Sequence, residues 1–378
     1  MKIMKIMPNI NANKKVVVAM SGGVDSAVAA AMMVEQGYEV IGLTMQLYDT
    51  GASKNSSSKT CCAGQDIYDA KRVSDKLGIP HYTLDYEKNF LDDVMKDFAN
   101  TYAEGKTPIP CIRCNQRMKF RDLLNTSMEL GAEMLVTGHY ADIRNNKGDL
   151  SLHRARDMSK DQSYFLFATP KNILSKLKFP LGSITKDMTR EYAKKFNLPV
   201  SDKPESQDIC FVQSQSKKGY REIVQKLRPD IMKSGHILDM NGNVIGSHSG
   251  IDGFTIGQRR GLGVISGDGT PLYVVKIDSK NNAVYVGKEK DLSIKSFDIS
   301  EFIWIGDESL KNEEVIHADV QLSSEYEIQK ANISILKDNQ AKITLEYPNY
   351  RVAPGQACVI YLQDRILGGG WISGNLSM

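Results

Sequence analysis

Lys15-Val16-Val17-Val18-Ala19-Met20-Ser21-Gly22-Gly23-Val24-Asp25-Ser26 is the stretch whose reading decides the fold. The β-branched run Val16-Val17-Val18 reads as a strand buried on both faces. Gly22 and Gly23 permit a turn that other residues resist, and residues 27–36 resume with helix formers up to Gly37, a helix stop. Strand, glycine turn and helix in that order leave backbone N–H groups unpaired at a helix N-terminus. The macrodipole there favours negative charge, so the turn is predicted to cradle a phosphate.

No Lys follows the glycines, which excludes a Walker A loop. Ser21-Gly22-Gly23-Val24-Asp25-Ser26 is instead similar to the PP-loop of the ATP pyrophosphatases, which hold the departing pyrophosphate and release AMP. Downstream, strands are predicted at residues 38–45, 81–85 and 134–137, with helices at 67–77 and 120–130 closed by Gly78 and Gly131. Repeated βα units imply an α/β fold with a doubly wound parallel sheet, its ligands outside the carboxyl ends of the strands. The chemistry is therefore expected near Met20, Met45 and Gly138. The polar loop 49–59 reads as a tolerated insertion rather than a lid, residues 163–197 as helical, and 199–210 as a proline-interrupted connector. Beyond residue 217, short strands alternate with turn residues, the texture of small β domains. The expected organisation is a PP-loop domain at 14–215, a small central β-rich domain at 219–288 and a C-terminal β-barrel-like domain at 290–376.

The 378 residues suffice for two or three domains, and 48 basic against 45 acidic residues leave no polybasic tail. Nucleic-acid binding would have to come from local patches. Six irregularly spaced cysteines do not form a secreted disulfide framework. No apolar run approaches the ~18 residues of a membrane span, and no signal-peptide core is evident. The expectation is a cytoplasmic protein without a membrane partner, working as a monomer.

Pro108-Ile109-Pro110-Cys111-Ile112-Arg113-Cys114-Asn115 leads into a helix-like run that is expected to start near Gln116. That places Cys114 near a helix N-terminus and among Arg113, Arg117 and Lys119, a setting that favours the nucleophilic thiolate. On spacing alone, this C-x-x-C could be half a zinc site, a redox pair or two inert thiols; no matched second pair supports zinc. Cys210, in Ser206-Gln207-Asp208-Ile209-Cys210-Phe211, reads alone as a small buried hydrophobe. Cys61 and Cys62 read as structural.

These motifs, with Thr137-Gly138-His139-Tyr140-Ala141, Lys160-Asp161-Gln162-Ser163-Tyr164-Phe165-Leu166, Gly257-Gln258-Arg259-Arg260-Gly261-Leu262-Gly263, Pro354-Gly355-Gln356 and Leu367-Gly368-Gly369-Gly370, resemble the tRNA-specific 2-thiouridylases over nearly the whole chain after Lys15. The resemblance implies a tRNA-uridine 2-sulfurtransferase. ATP adenylates the C2 oxygen of the wobble uridine, and sulfur from a cysteine persulfide replaces it, with release of AMP and pyrophosphate. It also implies that Cys210 carries the persulfide and that Cys114 is the nucleophile that frees the sulfur, leaving a Cys114–Cys210 disulfide. ATP contacts are implied at Ala19, Met20, Ser21, Gly22, Gly23, Val24, Asp25, Ser26, Met45 and Gly138, with Mg²⁺ near Asp25. Contacts with the tRNA anticodon loop are implied at Ile109, Pro110, Cys111, His139, Lys160, Asp161, Gln162 and Gln356. A persulfide carrier or cysteine desulfurase relay would supply the sulfur.

Two departures matter. Some relatives carry Asp where this chain has Cys111, so Cys111, Cys114 and Cys210 form a three-thiol set that could ligate a [4Fe–4S] cluster. Leu322-Ser323-Ser324-Glu325 lacks the basic and aromatic residues that relatives tend to present to tRNA. The competing readings are a PP-loop thiolase acting at another tRNA position, an amidating ligase, for which no ammonia-supplying segment is evident, and an RNA-binding module without turnover.

Overall fold

The computed structural model describes residues 14–48, 62–205, 209–212, 219–307, 310, 314–325, 327–374 and 376–377. The loop expected at 49–59, Cys61 and the segment 206–208 lie outside them. The chain forms two compact units interleaved along the sequence. The first takes residues up to Leu91, Asn115–Ser163 and Thr169–Gln207; the second takes Asp92–Cys114, Tyr164–Ala168 and the chain from Asp208 onward.

The first unit is built on β1 (Lys15–Ala19), α1 (Val24–Glu35), β2 (Glu39–Gln46), α2 (Cys62–Leu77), β3 (His81–Asp85) and β4 (Met134–Val136). A hairpin follows, β5 (Ala141–Asn146) and β6 (Asp149–Arg154), and then a short strand, β7 (Leu177–Lys178). Five of these strands make a parallel sheet in the order β3-β2-β1-β4-β7. The valine run is its centre: Val17 sits opposite Ile41 of β2 and Leu135 of β4, and all three valines are fully buried. α1 is apolar nearly all round, as a helix enclosed by its own unit must be, and its run Ala27 to Ala31 is buried. Small side chains there let the helix lie close to the sheet.

The strand order reverses at β1, with β2 and β3 to one side and β4 and β7 to the other. The crevice between the carboxyl ends of β1 and β4 is therefore the topological switch point, where open α/β sheets bind ligands. The glycine turn leaves β1 at this crevice and Gly138 leaves β4 at it. A Cβ on Gly138 would lie 2.7 Å from the Ser26 nitrogen and 2.8 Å from the Asp25 carbonyl carbon, so this glycine exists for close approach to the first turn of α1.

Two expectations need correction. Residues 163–197 are not one helical region but tight 3₁₀ turns (Ser163–Leu166, Lys171–Lys176, Pro180–Ser183), β7, and a single α-helix, Lys186–Lys195. Pro170 and Pro180 interrupt the pattern, since proline disfavours helix in the residue before it and lacks the donor a helix needs. The helix expected from Gln116 starts instead at Pro110, which takes the first helical position with its φ already set. It continues through a π-helical stretch, Cys114–Leu123, to Leu124–Glu129. The β5–β6 hairpin was not anticipated; it turns on Lys147 (φ 53°) and Gly148 (φ 95°), the two positive φ values of a tight hairpin turn.

The second unit contains the helix Lys96–Ala103, the short helix Pro110–Arg113 and two β structures. A four-stranded sheet in the order β10-β11-β8-β9 uses β8 (Gly235–Leu238), β9 (Val244–His248), β10 (Tyr273–Asp278) and β11 (Ala283–Gly287). The second is a closed barrel of β12 (Ile294–Trp304), β13 (Val315–Gln321), β14 (Gln329–Ile335), β15 (Ala341–Asn349), β16 (Ala357–Leu362) and β17 (Arg365–Ile372). Its order is β12-β15-β14-β13-β16-β17, and pairing of β12 with β17 closes it. Inward residues such as Phe297, Ile299, Val320, Ile333 and Ile343 alternate with exposed ones and fill the interior. Among the described residues no helix is long and apolar enough to cross a membrane.

Adding one methyl group at Gly138 tests the packing of the switch point. Gly138→Ala is expected to lower the urea midpoint of unfolding by an amount equivalent to about 1–3 kcal/mol; an unchanged midpoint would show that the β4 exit and α1 are not in close contact.

Candidate functional site

The glycine turn is shaped for an anion. Gly22 has φ 72°, and a Cβ there would fall 2.2 Å from the Asp66 carbonyl oxygen, so α2 leaves room for nothing but glycine. Gly23 differs: it is the N-cap of α1, and a Cβ would meet nothing nearer than Ser21 Oγ at 3.5 Å. The open side of the turn thus faces the helix N-terminus, where the first N–H groups of α1 have no intrahelical acceptor. Ser26 ties the turn together. Its hydroxyl donates to the Gly23 carbonyl (3.1 Å), accepts from the Ser21 N–H (3.1 Å) and lies 3.2 Å from Ser21 Oγ. Met20 is held beneath by the Ser74 hydroxyl on its sulfur (3.2 Å), and the Thr44 hydroxyl donates to its carbonyl (2.8 Å). Met45 is the penultimate residue of β2, near this edge of the sheet.

Two lysines that the sequence did not single out reach this loop from far along the chain. Lys186, its side chain 11 % exposed, places its ammonium 2.7 and 2.9 Å from the two oxygens of Asp25 and 3.0 Å from Glu205. The Tyr140 hydroxyl donates to the same Asp25 carboxylate at 3.0 Å. Burial and the neighbouring Asp25 push the Tyr140 hydroxyl pKa well up, so it remains a neutral donor. Glu205 also receives Lys160 (2.8 Å); that bond holds its carboxyl below the usual range, with Lys186 adding to the effect. Lys203 donates to the Gly22 carbonyl (3.0 Å), to Asp66 (2.8 Å) and to Asp69 (2.7 Å). Burial works to lower its pKa, but the two carboxylates outweigh it and keep the ammonium charged.

The loop therefore has its cations, supplied by tertiary structure rather than by the residue after the glycines. A sequence clue existed for Lys186: Thr185 caps its helix, accepting from the Met188 N–H at 3.3 Å, so Lys186 is the first helical residue. Lys203 lies in the proline-interrupted connector 199–210, where no motif marks it.

Asp25, expected to hold Mg²⁺, has both oxygens engaged by Lys186, so a metal on this carboxylate would have to displace an ammonium. Among the described residues no group of three or more His, Cys, Asp or Glu side chains is placed to hold a metal ion. Cys111, Cys114 and Cys210 are all described, so the geometry gives no support to the [4Fe–4S] cluster that this three-thiol set could have held.

Cys114 and Cys210 belong to the second unit. Both lie in segments that rest on the helix Lys96–Ala103. Asp97 pairs with Arg113, the residue before Cys114 (3.7 Å), and Phe98 packs edge-on against Phe211, the residue after Cys210 (ring centroids 5.2 Å). Cys111 and Cys210 are exposed, Cys114 is half-buried, and none of them is in a disulfide. Since the helix begins at Pro110, Cys111 sits in its first turn and Cys114 beyond it, so the helix dipole acts more on Cys111 than the sequence suggested. Arg113 is committed to carboxylates, so it is not the activating cation the sequence suggested.

Several residues that the resemblance assigned to tRNA have internal partners. Asp161 accepts from the N–H groups of Ala155 (3.0 Å) and Ser163 (3.2 Å) and from the Ser163 hydroxyl (2.7 Å), and Gln162 accepts from the Tyr140 N–H (3.0 Å). His139 lies between Phe120 and Phe179, with Thr137 on Nδ1 (2.7 Å) and Lys119 near Nε2 (3.4 Å). Burial, reinforced by Lys119, drives its pKa well below the usual imidazole range. Lys160 is the ion-pair partner of Glu205. Ile109 and Pro110 form the helix entry, and Gln356 donates to the Thr107 carbonyl at 3.3 Å.

Residues 14–214 match the family model described as the tRNA methyl transferase HUP domain, 222–288 the tRNA methyl transferase PRC-barrel domain, and 294–372 the aminomethyltransferase β-barrel domain. The tRNA-specific 2-thiouridylase of Rickettsia conorii is 51 % identical over 95 % of this chain and 95 % of its own length. That of Rickettsia felis is 52 % identical over 95 % and 96 %, and that of Rickettsia prowazekii 51 % identical over 96 % and 99 %. The family models carry a methyl-transfer description and the relatives a thiolation one. Half identity along the full length outweighs the description of a domain model, and the chain belongs to the tRNA-specific 2-thiouridylase family.

Proposed function

We propose that this protein replaces the C2 oxygen of the wobble uridine of tRNA with sulfur, at the expense of ATP. The observation that carries this reading is the phosphate cradle at the switch point in a chain that matches 2-thiouridylases along its length. A urea-like carbonyl oxygen is a poor leaving group. Attack by that oxygen on the α-phosphorus of ATP turns it into an adenylate and expels pyrophosphate, whose charge the N–H groups at the start of α1 receive. Lys203 fixes the shape of the loop through the Gly22 carbonyl. Lys186 balances Asp25 and Glu205 and keeps the cradle from being repulsive to phosphate. Magnesium, if bound, would serve as the counter-ion of the ATP phosphates, since Lys186 occupies both oxygens of Asp25.

The sulfur step uses the second unit's thiols. Cys210 carries a persulfide, whose terminal sulfur attacks C2 as the Cys114 thiolate attacks Cys210 Sγ. The persulfide S–S bond breaks, AMP leaves with the former uridine oxygen, and a Cys114–Cys210 disulfide forms that a two-electron thiol reductant must open before the next cycle. The docking of both cysteine segments on adjacent residues of one helix, Asp97 and Phe98, supports such a pairing. A uridine splayed from an anticodon loop can reach such a site, whereas one stacked in a duplex cannot.

The direct test is incubation with tRNA, ATP and a persulfide donor, followed by nucleoside mass spectrometry. 2-Thiouridine at the wobble position with equimolar AMP is expected; sulfur at C4, sulfur in cytidine, or tRNA binding without AMP would each replace the reading with one of its competitors. Cys114→Ala and Cys210→Ala are each expected to reduce thiolation to background while tRNA affinity, measured by filter binding, stays within a few-fold. Retained thiolation in either variant would remove that cysteine from the sulfur step. Lys186→Gln is expected to slow AMP formation about a hundredfold. It should also lower the thermal midpoint, because Asp25 and Glu205 lose their counter-ion; native rates of AMP formation would leave Lys186 with a purely structural part.

A further inference from the structure

We propose that Glu301 of the C-terminal barrel is a positioning residue for Cys114, acting through Arg113; the inference rests on the reading of Cys114 as the thiol that releases sulfur. Arg113 closes the short helix Pro110–Arg113 and immediately precedes Cys114. Its side chain is only 10 % exposed, and its guanidinium grips Glu301 in a fork, Nη1 to Oε2 and Nη2 to Oε1, both 2.7 Å. Asp97 lies 3.7 Å from Nε, and the guanidinium carbon stands 4.2 Å from the centre of the Trp371 ring. A bidentate, stacked arginine is held in orientation as well as in charge.

The barrel is deformed where it makes this contact. Between Ser300 and Ile303, β12 spends three steps against two on β17, from Trp371 to Gly369, so one residue bulges. Glu301 in this bulge has φ 49°, the left-handed region where glycine is favoured and where other residues carry a cost of about 1 kcal/mol or more. A side chain retained against the backbone's preference points to a use for the side chain. The facing strand is adapted to the same end. A Cβ on Gly368 would fall 2.1 Å from the Ile303 carbonyl oxygen, and one on Gly370 would fall 2.8 Å from that of Ser300. The glycine run thus admits the bulge, and the next residue, Trp371, supplies the face on which Arg113 rests.

The barrel braces the same segment upstream. The Thr107 N–H donates to the Pro354 carbonyl (2.8 Å), the Gln356 amide donates to the Thr107 carbonyl (3.3 Å), and a Cβ on Gly355 would meet that carbonyl oxygen at 2.8 Å. The C-x-x-C segment is therefore held at residue 107 and at residue 113, on either side of Cys111, by one rigid barrel. Two of the motifs that the sequence left without a physical task, Pro354-Gly355-Gln356 and Leu367-Gly368-Gly369-Gly370, form this clamp.

The test uses the full-length protein with Glu301→Gln and Glu301→Gly. Glycine relieves the strained backbone, so that variant should fold even though it lacks the carboxylate. The rate of Cys114 alkylation by iodoacetamide is followed against pH by tryptic peptide mass spectrometry, where cleavage after Arg113 separates Cys114 from Cys111. In both variants the guanidinium beside Cys114 keeps Asp97 but loses its bidentate carboxylate, and the apparent pKa of that thiol should fall by about one unit. Thiolation kcat should fall about ten- to a hundredfold with KM for tRNA within twofold, the signature of a displaced reacting group. A pH profile superimposable on that of the unmodified protein, a native kcat, or a loss carried by KM for tRNA would overturn the proposal. If Cys114→Ala still thiolates, the assignment of Cys114 fails instead, and the alkylation profile continues to report on Glu301 independently of it.

Discussion

Gly22 has no room for a side chain, and much of the first unit follows from that constraint. Its left-handed backbone turns the chain directly from the central strand into α1, and the Asp66 carbonyl packs where a Cβ would be. The turn leaves β1 between β2 and β4: β4 ends at Val136, opposite Val18, whereas β2 runs on past Leu43, opposite Ala19, to Gln46. The helix N-terminus then opens at the point where strand order reverses, so unpaired N–H groups meet a crevice instead of a neighbouring element. An anion is the natural occupant of such a place, and Gly138, pressed against the first turn of α1, closes its other wall.

What the sequence made legible was local and periodic. The valine strand, the glycine turn, the alanine-rich helix and His81–Asp85 are written in neighbouring residues, and the structure realises them nearly residue for residue. The barrel was legible as strand-like alternation, but not its closure, which depends on Gly368 and Gly370 opposite a bulge far earlier in the chain, between Ser300 and Ile303. Helical composition in 163–197 misled because two prolines decide that segment, not its average propensity. The start of the helix at Pro110 was missed for the opposite reason, since proline breaks helices except at their first position.

The lysines show where reading along the chain must fail. A Walker loop carries its cation within the motif, so a pattern search finds it. This loop takes Lys186 and Lys203 from positions about 160 and 180 residues away, and nothing between them and the glycines marks the connection. Arg113 failed in the other direction. Its place beside Cys114 suggested an activating charge, yet proximity in sequence says nothing of where a long side chain goes, and Glu301 and Asp97 take the guanidinium.

These pairings share a physical logic. A chain with 48 basic and 45 acidic residues has little net field to draw in a polyanion. Near the loop, Lys186 is matched by Asp25 and Glu205, and Lys203 by Asp66 and Asp69. In the second unit Arg113 is matched by Glu301 and Asp97. Cations so compensated fix geometry more than they create attraction, because each carboxylate cancels the charge that an approaching phosphate would feel. Attraction for phosphate in the first unit is then left mainly to the backbone N–H groups of α1, which carry no net charge and need no counter-ion in the empty state. Selectivity follows from that division: donors on a rigid turn recognise the shape of a pyrophosphate, whereas loosely held ammonium groups would welcome any polyanion, including the wrong stretch of an RNA backbone.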